Sequence, residues 1–109
     1  MPDQCLPDAA RHLGDWAIGA PARVRSPQWD VMVLSLDVRG RRVELGGADT
    51  GRYRDAASGA WCPCGVDFAS GVRHTVLGVP VDVLARAPLI ACKAALQREV
   101  DLVDLHQLT

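Results

Sequence analysis

The segment from Trp29 to Gly46 constrains the fold more than any other part of the sequence. It consists of a β-branched apolar run, a turn at Arg39-Gly40-Arg41, and a returning stretch in which polar and apolar residues alternate. This pattern is typical of a β-hairpin. On the returning strand Val43 and Leu45 share one face, so we expect Glu44 to point to the opposite face.

The segments around the hairpin carry weaker signals. A short helix is predicted within residues 7–17, and the prolines and glycine of residues 18–28 predict a connecting loop. Residues 46–71 are rich in Gly, Ala, Ser and Asp, and they predict a long loop with a weak helix around Tyr53–Ala57.

The C-terminal part predicts short strands followed by two helices. Residues 72–84 are rich in valine and predict one or two strands. Pro88 suits the first turn of a helix that runs to about Arg98. Asp101 is expected to be the N-cap of the last helix, and Asp104 to favour the positive end of its dipole.

Composition limits the class of protein. The 109 residues are 49% apolar with a formal net charge of −1, which fits one domain or part of one and excludes disordered and fibrous classes. The near-zero net charge argues against a protein that coats nucleic acid. No apolar run approaches the ~20 residues that span a bilayer. With no secretory signal in the pattern, we expect a cytoplasmic protein.

Basic residues are concentrated in one stretch. Residues 23–54 hold seven arginines against four acidic residues, a local surplus of three. Because the arginine side chain presents a fixed fork of donors to planar anions, this surplus is either a solvated surface or an anion site. The arginines are Arg23, Arg25, Arg39, Arg41, Arg42, Arg52 and Arg54.

Two of the four cysteines, Cys62 and Cys64, form a C-x-C motif. Zinc sites more often use C-x₂-C pairs, and this pair would need two further ligands. A zinc-stabilised site therefore remains one alternative, beside a redox or disulfide role and a proline-stiffened loop.

Several short motifs follow one another in a distinctive order. They are Gly78-Val79-Pro80-Val81, Leu89-Ile90, Lys93, Arg98 and Asp101-Leu102-Val103-Asp104-Leu105, preceded by Gly40-Arg41-Arg42-Val43-Glu44-Leu45 and Gly51-Arg52-Tyr53. This order resembles the small nucleotidyltransferase-fold proteins, which include minimal, antibiotic and toxin–antitoxin nucleotidyltransferases. The resemblance implies one α/β (α+β) domain over residues 1–109, with a small mixed sheet, the β-hairpin and two C-terminal helices. In this scheme 1–28 form an N-terminal helix and loop, 29–109 form the family-like region, and the domain is shortened at its N-terminus.

The resemblance also implies roles for individual residues. Glu44 corresponds to the family's third catalytic carboxylate, against the alternative of a solvated or arginine-paired strand residue. From their place near the hairpin turn, Arg39, Arg41 and Arg42 are candidates to bind a phosphate or an acidic partner, against the alternative of ordinary exposed arginines. Lys93 is a candidate nucleotide or phosphate contact, and structural roles are expected for Arg98, Asp101 and Asp104. For Lys93, an ion pair with Asp101 that ties the last two helices is the alternative. The family's Gly-Ser turn and Asp-x-Asp pair do not occur in this sequence.

These observations lead to one functional expectation and two alternatives. A lone carboxylate cannot hold two Mg²⁺ ions, so we expect a degenerate or partial nucleotidyltransferase-superfamily protein that is not catalytic alone. It would bind a nucleotide or a protein partner, and it would use Mg²⁺ only if a partner completes the site. The alternatives are an interaction module that forms a homodimer through an exposed strand, Val31–Val38, and a zinc-stabilised domain using Cys62 and Cys64.

Overall fold

The computed structural model describes residues 1–109, which form two compact units. The first comprises Met1–Arg54 and Trp61–Gly65, and the second comprises Asp55–Ala60 and Val66–Thr109. The expected α/β class with a β-hairpin and two C-terminal helices is confirmed. Every strand pair is antiparallel, however, so the expectation of a mixed sheet was wrong. No helix combines the length and apolar character needed to cross a membrane.

Each unit has its own secondary structure. The first contains one α-helix and five strands, which are α1 Leu6–His12, β1 Ala22–Arg25, β2 Trp29–Val38, β3 Arg41–Gly46, β4 Arg52–Arg54 and β5 Trp61–Pro63. The second contains two strands and two α-helices, which are β6 Val72–Val76, β7 Val79–Val83, α2 Arg86–Leu96 and α3 Glu99–Leu108.

The predicted β-hairpin is confirmed as β2 and β3, paired from Val33↔Gly46 to Val38↔Arg41. Its two turn residues, Arg39 and Gly40, both have positive φ angles, 53° and 80°. Positive φ at both positions gives a turn whose twist matches that of the flanking strands. The Asp37 carboxylate also accepts a hydrogen bond from the Gly40 backbone N–H at 2.7 Å, which fixes the turn.

The other edge of β2 is paired within the chain. Strand β1 runs antiparallel to it from Ala22↔Val33 to Arg25↔Asp30, and Ala17 forms an isolated bridge with Leu36. The prediction of a loop throughout 18–28 was therefore wrong, because four residues between two prolines form a strand. The edge of Val31–Val38 that the homodimer alternative uses is largely paired with residues 17–25, and the homodimer itself stays a prediction.

The segment expected to be a loop with a weak helix contains two short strands. Strand β4 pairs with the start of β2 through Trp29↔Tyr53 and Asp30↔Arg52, and β5 pairs with β4. The Trp29 and Tyr53 rings meet edge to face, with centroids 6.4 Å apart. The prediction of a helix around Tyr53–Ala57 was wrong. Strands of three residues are too short to show a periodic pattern in the sequence, and their formation depends on the strands with which they pair.

The two faces of the five-stranded sheet differ. Leu34 and Leu36 project from one face towards α1, where they form a buried cluster with Leu6. Because side chains alternate along a strand, Val33 lies on the opposite face, and so does Glu44, whose register partner is Ser35. The leucine face holds the core of the first unit, and the opposite face is available for a site.

The second unit contains a hairpin and two helices. Strands β6 and β7 turn at Leu77 and Gly78, with φ of 50° and 79°, so the predicted strands form a second hairpin. Helix α2 contains Pro88 in its first turn, as predicted, and ends before Gln97, whose φ of 55° is left-handed. Leu96 at its end is buried.

Helix α3 begins at Glu99, three residues earlier than an N-cap at Asp101 would place it. Asp101 is therefore not the N-cap; it is the third residue of the helix. Its carboxylate accepts a hydrogen bond at 3.2 Å from the backbone N–H of Arg98, the residue before the helix. An acidic residue stabilises a helix both at the N-cap and at the third helical position, so the sequence alone did not show which of the two Asp101 occupies.

Candidate functional site

Glu44 and Arg42 lie side by side on β3. The Arg42 Nε donates to Glu44 Oε1 at 3.2 Å, and Arg42 Nη2 donates to Ser35 Oγ, also at 3.2 Å. Both charged side chains are more than half exposed, so this ion pair contributes little to stability. The arginine-paired alternative for Glu44 thus describes the geometry, and a metal-facing role for this carboxylate stays a prediction.

An apolar groove lies next to this pair on the same face of the sheet. Its volume is about 300 Å³, and Glu44 is its one charged lining residue; the others are Val24, Trp29, Val31, Val33 and Gly46. Apolar walls with a polar group at one end are typical of small-molecule sites. The groove therefore suits a flat apolar ring whose polar part lies towards Glu44 and Arg42.

The remaining predicted phosphate contacts are not gathered at this groove. Arg39 is in the hairpin turn, and alternation along β3 places Arg41 on the face opposite Arg42. Of the three hairpin arginines, Arg42 alone shares the face of Glu44. A phosphate-binding role for Arg39 and Arg41 stays a prediction.

Lys93 belongs to an ion-pair network between α2 and α3. Its Nζ lies 2.5 Å from Asp104 Oδ2 and 3.5 Å from Asp101 Oδ1. Arg98 adds a two-pronged contact, with Nε to Asp101 Oδ2 at 2.7 Å and Nη2 to Oδ1 at 3.0 Å. Lys93 ties the two helices, as the structural alternative predicted.

Charge pairing within this network shifts its pKa values. The hydrogen bonds from the Arg98 side chain are the largest cause that lowers the pKa of Asp101, against the opposing effect of burial. The Asp104 carboxylate is the largest cause that raises the pKa of Lys93. Asp101 is fully buried, and its charged partners compensate for the hydration that its carboxylate loses.

A second ionic cluster, centred on Asp30, was not foreseen. Arg23 Nε donates to Asp30 Oδ1 at 2.8 Å, and Arg52 Nη2 donates to Oδ2 at 2.5 Å. The hydrogen bond from Arg52 is the largest cause that lowers the pKa of Asp30. The arginine surplus of residues 23–54 was the signal for this cluster, but strand register decides which arginines meet.

The C-x-C cysteines lie in and just after β5. Cys62 is in register with Tyr53, and the backbone N–H of Cys64 donates to Gly51 O at 2.8 Å. Cys5 and Cys92, the other two cysteines, are free thiols. No group of three or more His, Cys, Asp or Glu side chains in the chain is arranged to hold a metal ion. The zinc alternative for Cys62 and Cys64 stays a prediction.

Sequence comparisons identify no relatives: no protein-family model matches this chain, and no curated protein matches it. A comparison of structures does find a match. The chain is similar to a crystal structure described as a "putative nucleotidyltransferase" from Thermotoga maritima, with a TM-score of 0.59 and 16% sequence identity. The match covers 98% of this chain and 61% of the other, so this chain spans about three fifths of the length of that protein. The chain thus has a nucleotidyltransferase-like fold.

Proposed function

We propose that this chain is a degenerate or partial nucleotidyltransferase-superfamily protein that binds a nucleotide and does not transfer nucleotidyl groups on its own. The observation that carries the proposal is the groove over β1, β2 and β3, in which an apolar cavity of about 300 Å³ ends at a single carboxylate, Glu44. The nucleotidyltransferase-like fold supports the same conclusion. The activity of the longer similar protein is not carried over to this chain.

The groove and the ion pair suggest how a nucleotide would lie. The base would occupy the apolar part between Trp29 and Val33, where it replaces water against apolar walls. The phosphates would then lie towards Arg42, whose guanidinium is exposed and offers paired donors to an oxyanion. On binding, Arg42 would exchange its contact with Glu44 for the stronger contact with phosphate.

The donor set does not fit the two Mg²⁺ ions of nucleotidyl transfer. Two-metal sites hold ions about 3.5–4 Å apart, and each Mg²⁺ requires near-octahedral oxygen coordination. Glu44 offers one carboxylate, and the groove has no second acidic residue. We therefore derive no catalytic step for this chain, and Mg²⁺ would act only where a partner chain adds the missing carboxylates.

Calorimetric titration with ATP and GTP tests the proposal. We expect micromolar binding that Arg42→Gln weakens about tenfold, because a charge-assisted hydrogen bond to phosphate is lost. Arg41→Gln should have a smaller effect, because its side chain lies on the other face of the sheet. Arg86→Gln, at the exposed start of α2, removes the same charge outside the site and should leave binding unchanged.

A different observation favours the interaction-module alternative. One face of the β6–β7 hairpin consists mainly of valines, and Val72, Val76, Val79 and Val83 are 41–58% exposed. Isolated two-stranded hairpins are marginally stable in water, so a second copy of this chain packed on that face would stabilise it. No heat with either nucleotide, together with a dimer in sedimentation, would overturn the nucleotide proposal in favour of this module.

A further inference from the structure

The Asp30 cluster contains more positive charge than its carboxylate neutralises. Arg23 and Arg52 each donate to a different oxygen of Asp30. The other two nitrogens of Arg23 donate to Thr50, at 2.8 Å to Oγ1 and 3.2 Å to the backbone oxygen. All three nitrogens of Arg23 therefore donate hydrogen bonds within the protein. Each carboxylate oxygen of Asp30 already accepts a hydrogen bond from one arginine, either Arg23 or Arg52.

Arg25 is that third arginine. Its Nε lies 3.7 Å from Asp30 Oδ1, too far for a hydrogen bond, and its side chain is 77% exposed. Arg25 on β1 is the register partner of Asp30 on β2, so both side chains lie on the same face of the sheet. Because Arg23 also interacts with Asp3, the groups that adjoin the cavity are Arg25, Arg52 and Asp30, which leave a surplus of one positive charge.

A cavity of about 250 Å³ adjoins these charges. It is lined by Arg25, Ser26, Trp29, Asp30, Arg52 and Trp61. The guanidinium carbon of Arg52 lies over the Trp61 ring, 5.5 Å from its centre, and the Arg52 side chain is half exposed. Two cationic forks and an indole therefore meet at one concavity.

Ser26 adds a neutral donor to the cavity. Its Oγ accepts hydrogen bonds from the backbone N–H groups of Gln28, at 3.2 Å, and Trp29, at 3.0 Å. A hydroxyl that accepts two hydrogen bonds still has its own hydrogen to donate. That hydrogen can be donated to an anion in the cavity.

We infer that this cavity, formed by Arg25, Arg52, Ser26 and Trp61, is a binding site for a small phosphate monoester. A phosphate monoester suits this positive surplus, because its anionic oxygens accept paired hydrogen bonds from guanidinium groups. The cavity volume fits the phosphate and a small substituent rather than a polymer. Its charged groups, Arg25, Asp30 and Arg52, lie on the sheet face opposite Glu44, and Trp29 is the one residue that lines both this cavity and the proposed nucleotide groove.

Titrations with inorganic phosphate and phenyl phosphate, followed by calorimetry and tryptophan fluorescence, test this inference. Both should bind saturably, and phenyl phosphate should bind more tightly because its ring contacts Trp61. Arg25→Gln should weaken phenyl phosphate binding about tenfold without lowering the melting temperature, because Arg25 donates no hydrogen bond within the protein. Arg86→Gln removes the same charge from a residue that does not line the cavity and should change the affinity less than twofold.

Further variants keep the inference open to refutation. Arg25→Lys retains the positive charge but not the paired donors of the guanidinium group, so this variant should recover only part of the affinity for phenyl phosphate. It replaces Arg25→Gln in the test if Arg25→Gln folds poorly. Glu44→Gln should leave phosphate binding unchanged even where nucleotide binding fails, which separates the two sites. Equal losses in Arg25→Gln and Arg86→Gln, or no saturation in the wild type, would overturn the inference. Tighter binding of a 5′-phosphorylated oligonucleotide than of phenyl phosphate would also overturn it, in favour of a nucleic-acid end.

Discussion

Replacing Leu34 by alanine is expected to lower the free energy of unfolding of the first unit by about 3 kcal/mol, within the range for buried leucines. Leu34 is fully buried on the core face of β2, where it packs with Leu6 of α1 and with Leu36. The substitution removes apolar contacts and leaves a cavity that a β-strand cannot collapse. Urea unfolding followed by amide exchange in β2 and β3 measures the loss.

Leu77→Ala is the matched control for this prediction. Leu77 lies in the turn of the second hairpin and is 99% exposed, so the same substitution should change stability by less than about 0.5 kcal/mol. An equal loss for both variants would contradict the assignment of Leu34 to the core. It would also mean that Leu77 is covered in solution.

Asp101→Asn is expected to destabilise the second unit by about 3 kcal/mol, because removing one member of a buried ion pair leaves its partners without a counter-charge. The Asp101 side chain is fully buried, and it accepts hydrogen bonds from the side chain and backbone of Arg98 and from Lys93. Amide exchange in α2 and α3, with thermal unfolding, measures the effect. Glu99→Gln, which neutralises an exposed acid in the first turn of the same helix, should cost only a few tenths of a kcal/mol.

The loss of stability caused by Asp101→Asn should become smaller as the pH falls. The partners of Asp101 lower its pKa in the folded state, so the carboxylate contributes stability above the ordinary aspartate value of about 3.9. That contribution is lost as the pH falls through the lower folded-state pKa. The difference between wild type and variant should therefore be full at neutral pH and shrink towards pH 3. A difference that grows on acidification would contradict an ionised Asp101.

Local patterns were sufficient to predict the main elements. The β2–β3 hairpin follows from alternation and from a turn with Gly40, and α2 follows from Pro88 and its apolar face. The ion pairs from Lys93 to α3 could also be predicted, because Lys93, Asp101 and Asp104 lie close together in the sequence. Each of these features depends on interactions between near neighbours in the chain.

Features that depend on distant residues were missed. Strands β1, β4 and β5 have three or four residues each, and they exist because β2, or a strand paired with it, supplies their hydrogen-bond partners. The Asp30 cluster joins Arg23, Arg25 and Arg52 across three strands, and a register shifted by one residue would turn these side chains to opposite faces. An arginine surplus indicates that an anion site is available, but it does not indicate which arginines meet.

The central claim is that a nucleotidyltransferase-like fold with one carboxylate in its groove does not transfer nucleotidyl groups alone. The most direct test incubates the purified full chain with Mg²⁺ and the four nucleoside triphosphates, labelled at the α-phosphate. Pyrophosphate release and transfer of label to the chain itself are measured together. We predict neither above the level of a sample without protein. Sustained pyrophosphate release that Glu44→Ala abolishes would contradict the claim and make this chain an enzyme in its own right.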